Sequence, residues 1–163
     1  MNNPRPQSEI LRQLLAAEPL PGRRILLYGG GDALLSAWLA AEGAEVAILD
    51  SSRDAVLAAI AHVQAAGVGR RVRGVEISSA DLRMFADLAF DLLVLSPGAP
   101  FDLAELARIL RPGARLVSSV PLDASAVSPH FTALRRHSAA AFFRLPWSRP
   151  APLFWTARRL SSS

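Results

Sequence analysis

Residues 27 to 35 read LYGGGDALL, three consecutive glycines and an aspartate set between apolar stretches. Gly29 permits a tight bend and Gly31 a close backbone approach, because a side chain there would occupy the space of a bound molecule. Asp50 follows 21 residues after Gly29, at the end of the run EVAIL. A carboxylate so placed can accept hydrogen bonds from both hydroxyls of a ribose. The chemistry these residues suit is therefore recognition of a nucleoside. A plainer reading stays open, in which Asp32 caps a helix and Asp50 is an ordinary loop residue.

Such residues need elements to hold them, and the chain supplies a regular alternation. Ser8 to Ala17 has helical spacing, with Ser8 as a candidate cap and the prolines at 19 and 21 as the stop. Arg24 to Tyr28 suits a buried strand. Asp32 to Glu42 suits a helix with Ala33, Leu34, Ala37, Trp38 and Ala41 on its apolar face, and Glu45 to Leu49 is a second strand. Arg53 to Ala66 reads as a helix, Arg71 to Ile77 as a strand, Leu82 to Leu88 as a weak helix, and Asp91 to Leu95 as a strand broken by SPGAP. Asp102 to Leu110 is a helix, RPG a turn, and Arg115 to Val120 a fifth strand. Beyond Pro121, Val127 to His137 has helical spacing, while Ala141 to Trp147 and Leu153 to Arg159 read as strands joined through SRPAP. Alternation over about 120 residues predicts an α/β fold: a doubly wound, mostly parallel seven-stranded sheet, helices on both faces and a C-terminal antiparallel hairpin. Residues 1–22 form a helical extension and 23–163 a single domain.

Composition narrows the function. The 163 residues fit one domain, and 51% hydrophobic with 20% charged residues describes a globular chain. There is no cysteine, which excludes a disulfide framework, a thiolate metal site and a cysteine nucleophile. All 18 basic residues are arginine, so the pI of 11.1 reflects missing lysines more than the net charge of +4. No signal-peptide core and no membrane span are legible, so a cytoplasmic protein is expected, with nucleic acid not expected as a partner. His62 and His137 lack acidic neighbours at ligand spacing, so no metal is expected. Phe142, Phe143, Trp147, Phe154 and Trp155 crowd the C-terminal hairpin as core.

Which nucleoside is meant can be narrowed by charge and packing. The dinucleotide fingerprint places its third glycine at position 34, where this chain has Leu34. Asp32 would also repel a pyrophosphate at the helix N-terminus. A cationic ligand without phosphate escapes that repulsion, and S-adenosylmethionine, with its ammonium and sulfonium, is such a ligand.

At this point the sequence resembles the class I S-adenosylmethionine-dependent methyltransferases, from about Arg23 to Arg159. Leu27 to Ala33 occupies the place of the family's acidic-x-G-x-G-x-G motif, and Asp50 that of its ribose-binding acid. FDLLVLS is similar to the fourth strand, LARILRPGARLV to the segment entering the fifth, and the terminal hairpin, ending PLFWTARR, to the last two strands. Leu27 replaces the first-strand acid, and Ala33 the third glycine. The acid beside the adenine falls on Ser79, with Asp81 two positions on. GGGD is also similar to the aminopropyltransferases, whose carboxylates after the fourth strand are absent from LSPGAP. The resemblance implies S-adenosylmethionine as cofactor, held by Tyr28, Gly29, Gly30, Gly31, Asp32, Asp50, Ser51, Ser79, Asp81 and Ser96.

Methyl transfer from a sulfonium is an in-line displacement that needs positioning more than covalent help. Candidate catalytic residues are Ser96, Asp123 and His130, the last as a general base. Ser96-Pro97-Gly98 is weakly similar to the N/D-P-P-Y loop of amino-methylating members but lacks the second proline and the aromatic. The acceptor, small or macromolecular, is not legible. So short a chain leaves little for a lid, which implies a large acceptor, or a second copy or partner subunit closing the site. Alternatives are a non-catalytic scaffold or partner subunit and an NAD(P)-dependent oxidoreductase.

Overall fold

Apolar runs too short for helices and bounded by glycine or acidic residues become the central strands. The computed structural model describes residues 4–29, 32–97, 99–138 and 153–161. Its strands are β1 (Arg24–Tyr28), β2 (Glu45–Asp50), β3 (Val72–Glu76), β4 (Phe90–Leu95), β5 (Leu110–Ser118), β6 (Phe131–Ser138) and β7 (Leu153–Arg159). They form one sheet in the order β3-β2-β1-β4-β5-β7-β6. The first five are parallel, and β7 is antiparallel to both β5 and β6.

Helices α1 (Pro4–Leu15), α2 (Ala33–Ala41) and α3 (Arg53–Ala65) cover one face, and α4 (Leu103–Ile109) with the short α5 (Ala124–Val127) covers the other. Ile10, Leu11, Leu14 and Leu15 of α1 are buried in the same cluster as Ile25, Leu27 and Val94. The inner face of α1 thus belongs to the core against the sheet. Helix α1 begins at Pro4, and Ser8, expected as its cap, lies inside it.

Three sequence expectations are corrected. Residues 127–137 do not form a helix: 131–138 is strand β6, which pairs with β7 from Phe131↔Arg159 to Ser138↔Leu153. The i, i+3 spacing of Phe131 and Leu134 reads as helical, but in the strand an extra residue beside Ala133 brings both to the same core. Residues 82–88 form turns, because the Arg108 guanidinium takes the carbonyls of Leu82 (3.0 Å) and Phe85 (3.1 Å). Helix α2 buries Leu35, Ser36, Leu39 and Ala40, leaving Leu34 45% exposed, so its inward face is rotated from the expected one. The Ala141–Trp147 strand, with Phe142, Phe143 and Trp147, lies outside the described residues.

Strand β6, outermost among the described residues, carries an irregularity. Thr132 pairs with Arg158 and Arg135 with Thr156, so three steps on β6 match two on β7, and Ala133 lies inside with φ +56°. This is a bulge of one extra residue.

Candidate functional site

Parallel strands end on the same rim, and hydrogen bonds that continue their ladders bring the following loops together. Gly29 N donates to Leu49 O (2.7 Å), Ser96 N to Tyr28 O (2.8 Å), Ile77 N to Asp50 O (2.9 Å) and Ser119 N to Leu95 O (2.9 Å). Gly29, Asp50 and Ser96 therefore adjoin one another at the centre of this rim. Gly29 makes the bend, with φ +80°. A Cβ there would overlap the Ser96 carbonyl oxygen and lie 3.1 Å from its carbon. The glycine thus permits the loops after β1 and β4 to touch. Gly30 and Gly31 lie outside the described residues.

Asp50 ends β2 with 4% exposure, and its Oδ1 accepts from Ser52 N at 2.8 Å. Ser51 beside it is exposed. Asp32 caps α2, its Oδ1 accepting from Leu35 N at 2.9 Å, while Oδ2 accepts from the buried Ser8 hydroxyl at 2.6 Å. Gln7 Nε2 reaches Ser119 Oγ at 3.3 Å. The first turns of α1 thus attach to two of the loops on the rim. Sequence reasoning missed both contacts, since nothing local marks a hydroxyl for a carboxylate 24 residues away.

The other expected site residues divide. Leu27, where the resemblance seeks an acid, is 3% exposed in the core. Tyr28 is fully buried, its hydroxyl donates to Pro100 O, and burial pushes its pKa up, so the expected cofactor contact is limited to its backbone. Ser79 is exposed after β3 and accepts from Asp81 N. Asp81 binds Arg83 Nε at 2.7 Å, and that hydrogen bond holds its carboxyl below the usual range. Asp123 follows β5, exposed, with its carboxyl held down by the Ser125 hydroxyl, which weakens it as a base.

His130 is a clear correction. It precedes Phe131, which pairs with Arg159, and β5 meets β7 there at its N-terminal side, Arg115↔Arg158. It therefore sits at the opposite end of the sheet, roughly 20 Å from the rim by strand rise. It cannot serve as a base at that rim. The exposure of Leu34 also removes the packing argument against a dinucleotide, leaving the charge of Asp32 as the argument that stands.

A sheet of this order, with its seventh strand antiparallel to its neighbours, is a Rossmann-like arrangement, and here a glycine bend follows the first strand and an acid closes the second. The chain has the class I methyltransferase fold. The N-methyltransferase NodS from Bradyrhizobium japonicum superposes with a TM-score of 0.73 at 16% identity, over 98% of this chain and 99% of that one. The tRNA methyltransferase TrmI from Aquifex aeolicus gives 0.68 at 16% identity, over 99% and 71%. The cyclase SpnF gives 0.66 at 13% identity, over 96% and 80%. These likenesses concern the fold, which hosts more than one reaction. No family model matches the chain. Among curated proteins, UDP-N-acetylmuramoylalanine–D-glutamate ligase from Thiobacillus denitrificans is 32% identical over 111 residues, 67% of this chain and 22% of the ligase. The Koribacter versatilis ligase is 34% identical over 116 residues, 69% of this chain and 24% of the ligase. The chain spans less than a quarter of the length of these relatives.

Proposed function

We propose that the chain binds S-adenosylmethionine at the rim formed by β1, β2 and β4 and transfers a methyl group to an acceptor. The observation that carries this reading is the adjacency of the Gly29 bend and Asp50 on neighbouring strands, joined through Gly29 N to Leu49 O. When bound, the cofactor would supply a methyl group on a sulfonium to the lone pair of an in-line acceptor, the sulfur keeping the bonding electrons. Asp50 would accept the ribose hydroxyls, its orientation fixed by Ser52 N. Because Asp50 is buried, a ribose reaching it must replace what covers it now. Asp32, at the N-terminus of α2, would attract the ammonium. The Ser8 hydroxyl already on Oδ2 would then share or yield its place. Closure of the site by a large acceptor, a second copy or a partner subunit belongs to the same proposal, as does a cytoplasmic location; among the described residues no helix is long and apolar enough to cross a membrane.

Titration calorimetry with S-adenosylmethionine, S-adenosylhomocysteine, NADH and UDP-N-acetylmuramoylalanine tests it. Binding of the first two on the order of micromolar, weakened several-fold or more by Asp50→Ala, supports the reading. Preference for NADH or the UDP compound overturns it. A second reading, a non-catalytic scaffold, is favoured by Leu27 in the core and by the engagement of Asp81 with Arg83. It predicts no heat with any of the four.

A further inference from the structure

The face of β5, β7 and β6 beside α1 holds a concavity that shares no lining residue with the proposed cofactor rim. It measures about 600 Å³ and is lined by Glu18, Arg115, Arg135, His137, Thr156 and Arg158, with Ala133 among its smaller neighbours. Register explains the gathering. Arg115 is paired with Arg158, and Arg135 with Thr156, so three adjacent strands each present one arginine to the same face. Successive strands lie about 4.8 Å apart and residues i and i+2 about 6.6 Å, which separates Arg115 from Arg135 by roughly 12 Å at the backbone.

The charges do not balance here. Most guanidiniums in ion pairs elsewhere have a carboxylate of their own, as in Arg71 with Glu45 and Arg83 with Asp81. In this groove Glu18 Oε1 is shared by Arg115 (2.9 Å) and Arg158 (3.1 Å), and it is the one carboxylate among the lining residues. Arg135 is exposed and has no hydrogen bond or ion pair among the described residues. His137 Nε2 lies 2.9 Å from Thr156 Oγ1, and burial, followed by the charges of Arg115 and Arg135, pushes its pKa down. The positive field therefore reaches the imidazole. Ala133, in the left-handed region, holds the extra residue between Thr132 and Arg135. Backbone held in a sparsely populated region is a pointer to function.

We infer that this groove binds a ligand carrying two or more linked phosphates. Guanidinium forks match phosphate oxygens in bidentate geometry, and three guanidiniums on adjacent strands with a single carboxylate between them offer more donors than one phosphate group satisfies. Inorganic pyrophosphate and the backbone of a single-stranded oligonucleotide share that chemistry. The groove is independent of the proposed cofactor rim.

The test is NMR of the His137 ring in the full chain, its signal assigned with His137→Gln. The pH titration is run alone, with pyrophosphate up to about 10 mM, and with a single-stranded oligonucleotide of roughly ten nucleotides at about 0.15 M salt. A bound phosphate close to the ring raises the His137 pKa. Arg135→Ala, which removes no hydrogen bond or ion pair among the described residues, should weaken binding roughly tenfold, while Arg53→Ala on α3 should not. A shift with pyrophosphate identifies a small polyphosphate ligand, and a shift with the oligonucleotide alone identifies a strand. No shift with either overturns the inference, as does binding that Arg135→Ala leaves unchanged.

Discussion

Replacing Gly29 by alanine asks whether the bend after β1 is locked by the loop after β4. Two costs add. A left-handed backbone at φ +80° costs an L-residue about 1–2 kcal/mol. The new Cβ also overlaps the Ser96 carbonyl oxygen and lies 3.3 Å from that of Pro97. Relieving the overlap moves backbone rather than a flexible side chain, on the order of 1 Å, at about 1–3 kcal/mol. The sum is about 2–5 kcal/mol, which lowers the melting temperature of a chain this size by roughly 10 °C. Gly67→Ala supplies the reference: φ is +76° and nothing lies within 4 Å of the new Cβ, so only the backbone term, about 1–2 kcal/mol, applies. Both variants are compared by circular-dichroism melting and urea titration. Equal losses in the two would show that contact between the loops contributes nothing and would refute the packing argument.

Asp32→Ala removes a helix cap and the acceptor of the Ser8 hydroxyl, so the urea midpoint should report a loss of about 1–2 kcal/mol, with a smaller loss for Asp32→Asn. Ser8→Ala on each background measures the coupling of the pair, which should vanish once Asp32 is alanine. The depressed pKa of His137 gives a signed pH dependence. The unfolded chain binds a proton at about pH 6.5 that the folded chain resists, so this contribution is complete above that value and is lost as pH falls through the lower folded value. Stability curves from about pH 7 to about pH 5 should fall less steeply for His137→Gln; an unchanged slope would show that the imidazole is not held neutral.

The central strands β1, β2 and β4 were legible because they are buried on both faces and read as continuous apolar runs ended by Gly29, Asp50 or Ser96. Asp50 and Gly29 were placed by spacing alone, and the sheet order brings them side by side. The errors have local causes. Helix α2, ALLSAWLAA, is apolar nearly all round, so its sequence does not say which side faces the sheet, and Ser36 is buried with its hydroxyl on Ala33 O (3.0 Å). Residues 82–88 carry helical spacing, but the donors of Arg108, distant in sequence, claim their carbonyls. His130 was proposed for its nearness in sequence to the end of the fifth strand, but the strand β6 that follows it starts at the opposite end of the sheet. Asp32 was read both as cap and as ligand group; the cap is present, and the partnership with Ser8 was visible only in three dimensions.

The bulge at Ala133 bears on how this molecule behaves in company. A sheet ending in a regular strand offers a row of N–H and C=O groups on which another chain can build. On β6 the extra residue breaks that row, and the exposed Arg135 and Arg136 place like charges beside it. The far edge, β3, is guarded differently, by the exposed side chains of Arg73 and Glu76. One edge is thus closed to self-templating by geometry and the other by charge, and deleting the extra residue would reopen the first as a surface for aggregation.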